Sequence, residues 1–131
     1  MSSKMKVKSS KHFTENELKC KCGCGRAEMD ADFMVKLEQI REYWGKPMLL
    51  SSAYRCPDHN KNVSSTGENG PHTTGKAVDI LCYGNDALEL INLVTDVGIN
   101  GLGISQKGSF SSRFIHIDDI EVGNRPWVWT Y

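Results

Sequence analysis

The sequence predicts an α+β fold in which helices pack on a small, mainly antiparallel sheet. Two long segments, 30–44 and 85–97, place apolar residues at helical spacing and are predicted as helices. Short segments that are predicted as strands lie at 48–54, 76–81, 101–105, 113–118 and 127–131. In chain order these elements read helix, strand, long loop, strand, helix and three strands, an order that is typical of the α+β class.

The composition indicates one globular domain whose function depends on a specific site. The chain has 131 residues, of which 39% are hydrophobic and 24% are charged, and it has no long apolar run. Sixteen Lys and Arg residues balance sixteen Asp and Glu residues, so the formal net charge is zero. Nucleic acids and acidic membranes are usually bound by a strongly basic surface. We therefore expect neither as a partner, and we expect a monomer.

The first eleven residues are basic and rich in Ser, and they lack the apolar stretch of a secretory signal peptide. We predict a flexible tail at 1–11 and a single domain at 12–131. Without an export signal, the protein is expected in the cytoplasm of the cell that makes it.

Capping residues indicate where the first helices begin and end. Thr14 and Glu17 have the spacing of a capping box, which predicts a short helical turn. Asp30 is the expected N-cap of the first long helix, and Gly45 is its expected end. The residues of this helix that we expect in the core are Phe33, Leu37, Ile40 and Trp44.

The second long helix is expected to begin with Asn85 as its cap and to end at Gly98. Its predicted core-facing residues are Leu88, Ile91 and either Val94 or Thr95. Between the first two strands, residues 55–74 are polar and rich in Asn, Ser, Gly and Pro, which predicts a long loop. Loops of this length in compact domains are usually functional.

Three residues have the composition of a catalytic metal site. Asp79 is a carboxylate in an otherwise apolar strand, and burying such a charge without a partner is costly. His72 precedes it by seven residues, while His116 and Asp118 point to one face of a later strand because side chains alternate along a strand. Two His nitrogens and one carboxylate are typical of a catalytic zinc, which activates a water for hydrolysis.

Three motifs resemble those of the zinc D-Ala-D-Ala carboxypeptidase family, which includes phage L-alanyl-D-glutamate endolysins and shares its fold with the hedgehog signalling domain. The motifs are SAYRCPDHN at 52–60, PHTTGKAVDI at 71–80 and FIHID at 114–118. They occur in the family's order, and the similarity runs from about residue 12 to residue 131. The resemblance implies a hedgehog/DD-peptidase-like fold in a phage-type or prophage-type member.

His72, Asp79 and His116 of this chain match the positions of the family's zinc ligands. Arg55 matches the arginine that holds the substrate carboxylate or stabilises the reacting carbonyl oxygen. The function implied is hydrolysis of a peptide bond in peptidoglycan stem peptides or cross-links, by a carboxypeptidase or an endopeptidase that acts on the wall after its release. The alternative is a non-catalytic, metal-stabilised module that binds wall fragments or a protein.

The general base departs from the pattern of several relatives. They have an acidic residue three positions before the last His, where this chain has Arg113. Asp118 is our candidate for this role, although it could equally orient His116. Weaker candidates are Asp119, Glu121, His59 and Glu68.

Two further groups of residues stand out. We expect Trp127, Trp129 and Tyr131 to cover the core as an edge strand, with a wall of the substrate cleft as the alternative. Cys20, Cys22 and Cys24 lack the spacing of a zinc knuckle, and Cys56 or Cys82 would have to complete a site. We expect free, partly buried thiols, with a structural metal or a disulfide to Cys56 as alternatives.

Overall fold

The computed structural model describes residues 5–131. Within this range the helices α1–α4 span Glu15–Leu18, Ala31–Trp44, Pro57–Val63 and Gly84–Val97. The strands β1–β7 span Lys6–Val7, Met29–Asp30, Leu49–Ser52, Ala77–Leu81, Gly101–Ser105, Phe114–Asp118 and Trp127–Thr130. Single turns of 3-10 helix lie at Gly67–Asn69, Pro71–Thr74 and Phe110–Ser112. No helix in residues 5–131 is long and apolar enough to cross a membrane.

The main sheet has five strands in the order β3-β4-β6-β5-β7. Every neighbouring pair is antiparallel except β5 and β7, which are parallel. This confirms the prediction of an α+β fold with a mainly antiparallel sheet. In the pairing of β4 with β6, Asp79 lies directly opposite His116. The two central strands therefore bring two of the predicted ligands together.

The first helices begin and end as their capping residues predict. Thr14 and Glu17 form the complete capping box. The Asp30 carboxylate accepts a hydrogen bond of 2.9 Å from the backbone N–H of Phe33, and Gly45 ends α2 with a φ of 70°. The predicted core residues of this helix are all buried: Phe33, Leu37, Ile40 and Trp44.

The predicted core-facing side of α4 is only partly right. Val94 is buried as predicted, and so are Ala87 and Leu90, whereas the predicted Leu88 is 65% exposed and Ile91 is only partly buried. Apolar residues occur on adjacent positions here, so their spacing alone does not show which side packs against α2 and the sheet. The helix also begins one residue before the predicted cap, after Tyr83, and it ends at Gly98 as predicted.

The predicted loop at 55–74 contains helix α3 and two 3-10 turns. Helix α3 was missed because it has no apolar stripe: its buried residue is Asn60, and Val63 is exposed. Pro57 occupies the first turn, where proline favours a helix, but the polar composition hides this signal.

The predicted N-terminal tail falls partly outside the described residues, since residues 1–4 are not among them. Lys6–Val7 pairs antiparallel with Met29–Asp30. Further along, Glu38 on α2 accepts a hydrogen bond of 2.8 Å from the backbone N–H of His12 and another from the Ser10 hydroxyl. These contacts hold the segment that precedes α1 against α2.

Candidate active site

The predicted ligands His72, Asp79 and His116 converge on one point. Asp79 Oδ1 lies 2.9 Å from His116 Nδ1 and 3.3 Å from His72 Nε2. One donor atom from each residue lies within 4.8 Å of the other two, and all three side chains are buried. Asp79 and His116 come from the central strands, whereas His72 comes from the 3-10 turn at 71–74. The sheet therefore supplies two ligands and the long connection supplies the third.

The position of His72 is set by its backbone neighbours. Its Nδ1–H donates to the Ala53 carbonyl at 2.7 Å, which leaves the Nε2 lone pair directed at Asp79. Gly75 ends the turn that carries His72, with a φ of 76°. A Cβ at this glycine would collide with the backbone oxygen of Glu28, so both the conformation and the close approach require glycine.

The ring of His116 is oriented by a buried ion pair. Its Nε2–H donates to Asp118 Oδ2 at 2.7 Å, so its Nδ1 faces Asp79. Asp118 also accepts hydrogen bonds from Arg125 Nε and Nη2 at 2.9 and 2.8 Å. Burial by itself would raise the pKa of Asp118, but the Arg125 and His116 hydrogen bonds lower it to about 2. Asp118 thus lies behind His116 with both oxygens engaged.

The donor atoms fit a cation. The lone pairs of His72 Nε2 and His116 Nδ1 face the same oxygen of Asp79, because the other ring nitrogens donate elsewhere. Two imidazole nitrogens and a carboxylate oxygen are a typical ligand set for zinc.

Arg55 lies beside the three proposed ligands. Its Nη2 is 3.8 Å from Asp79 Oδ2. Its Nε donates to Ser52 Oγ at 3.1 Å, and its Nη1 donates to Asn60 Oδ1 at 2.9 Å. Asn60 of helix α3 is fully buried and fixes the Arg55 guanidinium, which still lines the cavity. Helix α3 therefore holds the arginine in place.

The ligands lie in a cavity of about 520 Å³ that is also lined by the aromatic residues of the chain end. Trp127, Trp129 and Tyr131 line it, and about half of Trp127 and Tyr131 is exposed. The prediction of an edge strand is confirmed, since β7 pairs with β5 alone. The expectation that its aromatic residues cover the core is wrong, because they line the cavity instead. Gly103 leaves room for Trp129, which a Cβ there would approach to 2.7 Å.

Among the described residues that line this cavity, Asp79 has the only side-chain carboxylate. The weaker candidates for a general base do not line it: Asp119 pairs with Lys36 at 2.8 Å, and Glu121 pairs with Lys76 at 3.6 Å. Arg113 is turned away, since its guanidinium donates to the Gly108 carbonyl at 3.0 and 3.2 Å.

Arg125 is a site residue that the sequence analysis missed. It lines the cavity, pairs with Asp118 and lies 4.9 Å from the centre of the Trp129 ring. The available signal was indirect: a buried Asp118 needs a cationic partner, but no spacing rule indicates which arginine supplies it.

Comparison with known proteins agrees with this site. A family model described as Peptidase M15 matches residues 11–118, which include Arg55, the three ligands and Asp118. A search of curated proteins finds no match. The M15 peptidases are zinc-dependent, in agreement with the ligand set of His72, Asp79 and His116. The match covers most of the chain, which therefore belongs to the M15 family of zinc peptidases.

Proposed function

We propose that this M15 peptidase hydrolyses a peptide bond in the stem peptides or cross-links of peptidoglycan, as a carboxypeptidase or as an endopeptidase of the endolysin type. The observation that carries the proposal is the convergence of His72 Nε2, His116 Nδ1 and Asp79 Oδ1 on the wall of an open cavity beside Arg55. When bound there, zinc supplies a Lewis acid and lowers the pKa of a bound water to about 7.

The residues around the ligands hold them and the substrate in place. Ala53 fixes the tautomer of His72, and Asp118 fixes that of His116. Of the two roles considered for Asp118, we propose this orienting one, because its oxygens already accept hydrogen bonds from Arg125 and His116 and it does not line the cavity. Its low pKa also makes it a weak proton acceptor.

Arg55 is the residue that we propose to contact the substrate directly. Its Nε and Nη1 are held by Ser52 and Asn60, so the guanidinium is oriented before a substrate binds. A fixed guanidinium can grip a carboxylate through two hydrogen bonds, or stabilise the oxygen of a reacting carbonyl. Either role suits a stem peptide, which carries carboxylates close to its peptide bonds.

The proposal also concerns partners and place of action. The zero net charge supports the absence of a nucleic-acid or membrane partner. We also propose that the enzyme acts as a monomer. Peptidoglycan lies outside the cytoplasm, so the enzyme reaches it after release from the producing cell.

Purified muropeptides, both cross-linked and uncross-linked, would test the proposal. We expect the zinc-loaded protein to release fragments that mass spectrometry assigns to one peptide bond, chelation to stop the release, and added zinc to restore it. His72→Ala should lose both zinc at this site and activity while keeping the native circular dichroism spectrum. His59→Ala, a matched change on helix α3 outside the cavity, should bind as much zinc as the native chain.

Two results would count against the proposal. Fragment release that survives chelation and the His72→Ala change would place the chemistry elsewhere. Full zinc occupancy at the three ligands with no turnover of any muropeptide would favour the binding module.

A further inference from the structure

We propose that Cys20, Cys22, Cys24 and Cys56 form a second metal site, a structural zinc held by four thiolates. The structure brings one sulfur from each of these residues within 4.8 Å of the other three. None of them takes part in the site of His72, Asp79 and His116. This inference does not depend on the substrate of the enzyme.

Three of the six separations between the sulfur atoms match the edges of a zinc tetrahedron, and the three to Cys24 are within 4.8 Å. Cys20 Sγ lies 3.5 Å from Cys22 Sγ and 3.7 Å from Cys56 Sγ, and Cys22 Sγ lies 3.6 Å from Cys56 Sγ. A zinc–sulfur bond of about 2.3 Å gives a tetrahedron with an edge of about 3.8 Å. Three measured edges are thus within a few tenths of an ångström of the expected length.

The backbone around the cluster suits a closed metal loop. Gly23 and Gly25 alternate with the cysteines and have φ values of 91° and 80°, which lets the chain turn tightly between ligands. The Cys20 N–H donates to the Arg26 carbonyl at 2.8 Å and closes the loop. The Cys56 N–H donates to Cys20 Sγ at 3.3 Å, a contact that stabilises negative charge on a thiolate.

Four cysteines in contact are otherwise hard to explain. All five cysteines of the chain are unpaired thiols in the structure. Cys22 and Cys24 are exposed, so hydrophobic burial does not account for their presence in the cluster. When zinc binds, four S–H bonds give four zinc–sulfur bonds and release four protons to the solvent, with no oxidant or reductant needed.

The position of Cys56 indicates what the site does. Cys56 directly follows Arg55 and is the N-cap residue of helix α3, which carries Asn60. The Tyr54 N–H also donates to the Leu18 carbonyl at 3.2 Å, just before the cysteine loop. A metal that joins residues 20–24 to Cys56 therefore anchors the segment that presents Arg55 to the substrate cavity.

Metal content and cobalt spectra would test this site separately from catalysis. The native chain should bind about two zinc ions, and the double variant His72→Ala/His116→Ala about one. Cobalt bound to that double variant should show the intense visible bands and the sulfur-to-cobalt charge transfer of a tetrahedral thiolate site. Cys22→Ser/Cys24→Ser changes exposed residues only, so it should fold, keep the zinc at the His site and lose these spectra.

Cys82→Ala is the matched control, because Cys82 is a buried thiol outside the cluster. It should retain both metals and the cobalt spectra. If all four cluster cysteines still react as free thiols in a thiol titration of the zinc-saturated chain, the proposal is overturned. A chain mass lowered by two hydrogens in the anaerobically purified protein, which shows a disulfide, would also overturn it.

Discussion

Replacing Asp118 with Asn distinguishes its two roles, orienting His116 or accepting a proton from the attacking water. The side chain of Asp118 is fully buried, and that of Arg125 is 7% exposed, so the substitution leaves a buried guanidinium without its counter-ion. Breaking a buried ion pair costs about 3–5 kcal/mol. We expect a loss of stability at the lower end of this range, because the Asn side-chain oxygen can still accept one hydrogen bond.

The effect on zinc follows from the hydrogen bond of 2.7 Å between His116 Nε2 and Asp118. Removing a carboxylate that orients a His ligand weakens metal binding by about 10-fold to 100-fold. This corresponds to about 1.4–2.7 kcal/mol. With saturating zinc, kcat of Asp118→Asn should remain within about 10-fold of the native value, since the orienting role does not include proton transfer.

Zinc affinity can be measured by competition with a chromophoric chelator, stability by urea unfolding, and kcat on a muropeptide at saturating zinc. Asp119→Asn is the matched control, because it removes the neighbouring carboxylate and its partly exposed ion pair with Lys36. Losing this ion pair should cost about 1 kcal/mol or less of stability. The zinc affinity should stay unchanged. Native zinc affinity combined with a fall in kcat of about 10²-fold to 10⁴-fold would refute the reasoning and assign proton transfer to Asp118.

Two further predictions concern the support of the site. Gly75→Ala should destabilise the protein by more than about 2 kcal/mol in urea unfolding. The reasons are that a φ of 76° is unfavourable for alanine and that its Cβ would collide with the Glu28 carbonyl. A native-like unfolding midpoint would contradict this. Burial would raise the pKa of Glu38, but hydrogen bonds from Ser10 and His12 outweigh it and hold the pKa below its usual value. This stabilisation is present above the unfolded pKa of about 4.3 and is lost as the pH falls through the folded pKa, so the stability difference between the native chain and Glu38→Gln should shrink below about pH 4. Parallel stability profiles of the two proteins between neutral and acidic pH would disprove it.

The ligands could be predicted because the sequence shows both local patterns and an anomaly. Asp79 is a charge in an apolar strand, and strand alternation places His116 and Asp118 on one face of a later strand. The motif resemblance then connected them with His72 and Arg55. Each of these patterns spans about ten residues or fewer, and a sequence shows patterns of that length directly.

The features that were missed or left open have no periodic pattern in the sequence. Arg125 lies only seven residues after Asp118, but the connection between them is neither helix nor strand, so no spacing rule predicts their pairing. The approach of Cys56 to Cys20 joins segments that are 36 residues apart and depends on the placement of α3. The aromatic residues of β7 were misplaced because strand alternation indicates two faces, but only the sheet order shows that neither face lies on the core.

The sheet order separates two parts of the active site in a way that bears on how such enzymes diverge. The proposed metal ligands Asp79 and His116 lie on strands that are paired on both sides, whereas Trp129 lies on an edge strand held by β5 alone. Substitutions in the edge strand reshape the cleft without disturbing the central ladder. We therefore expect related enzymes with different peptide preferences to differ mainly along β7, while their catalytic centre stays the same.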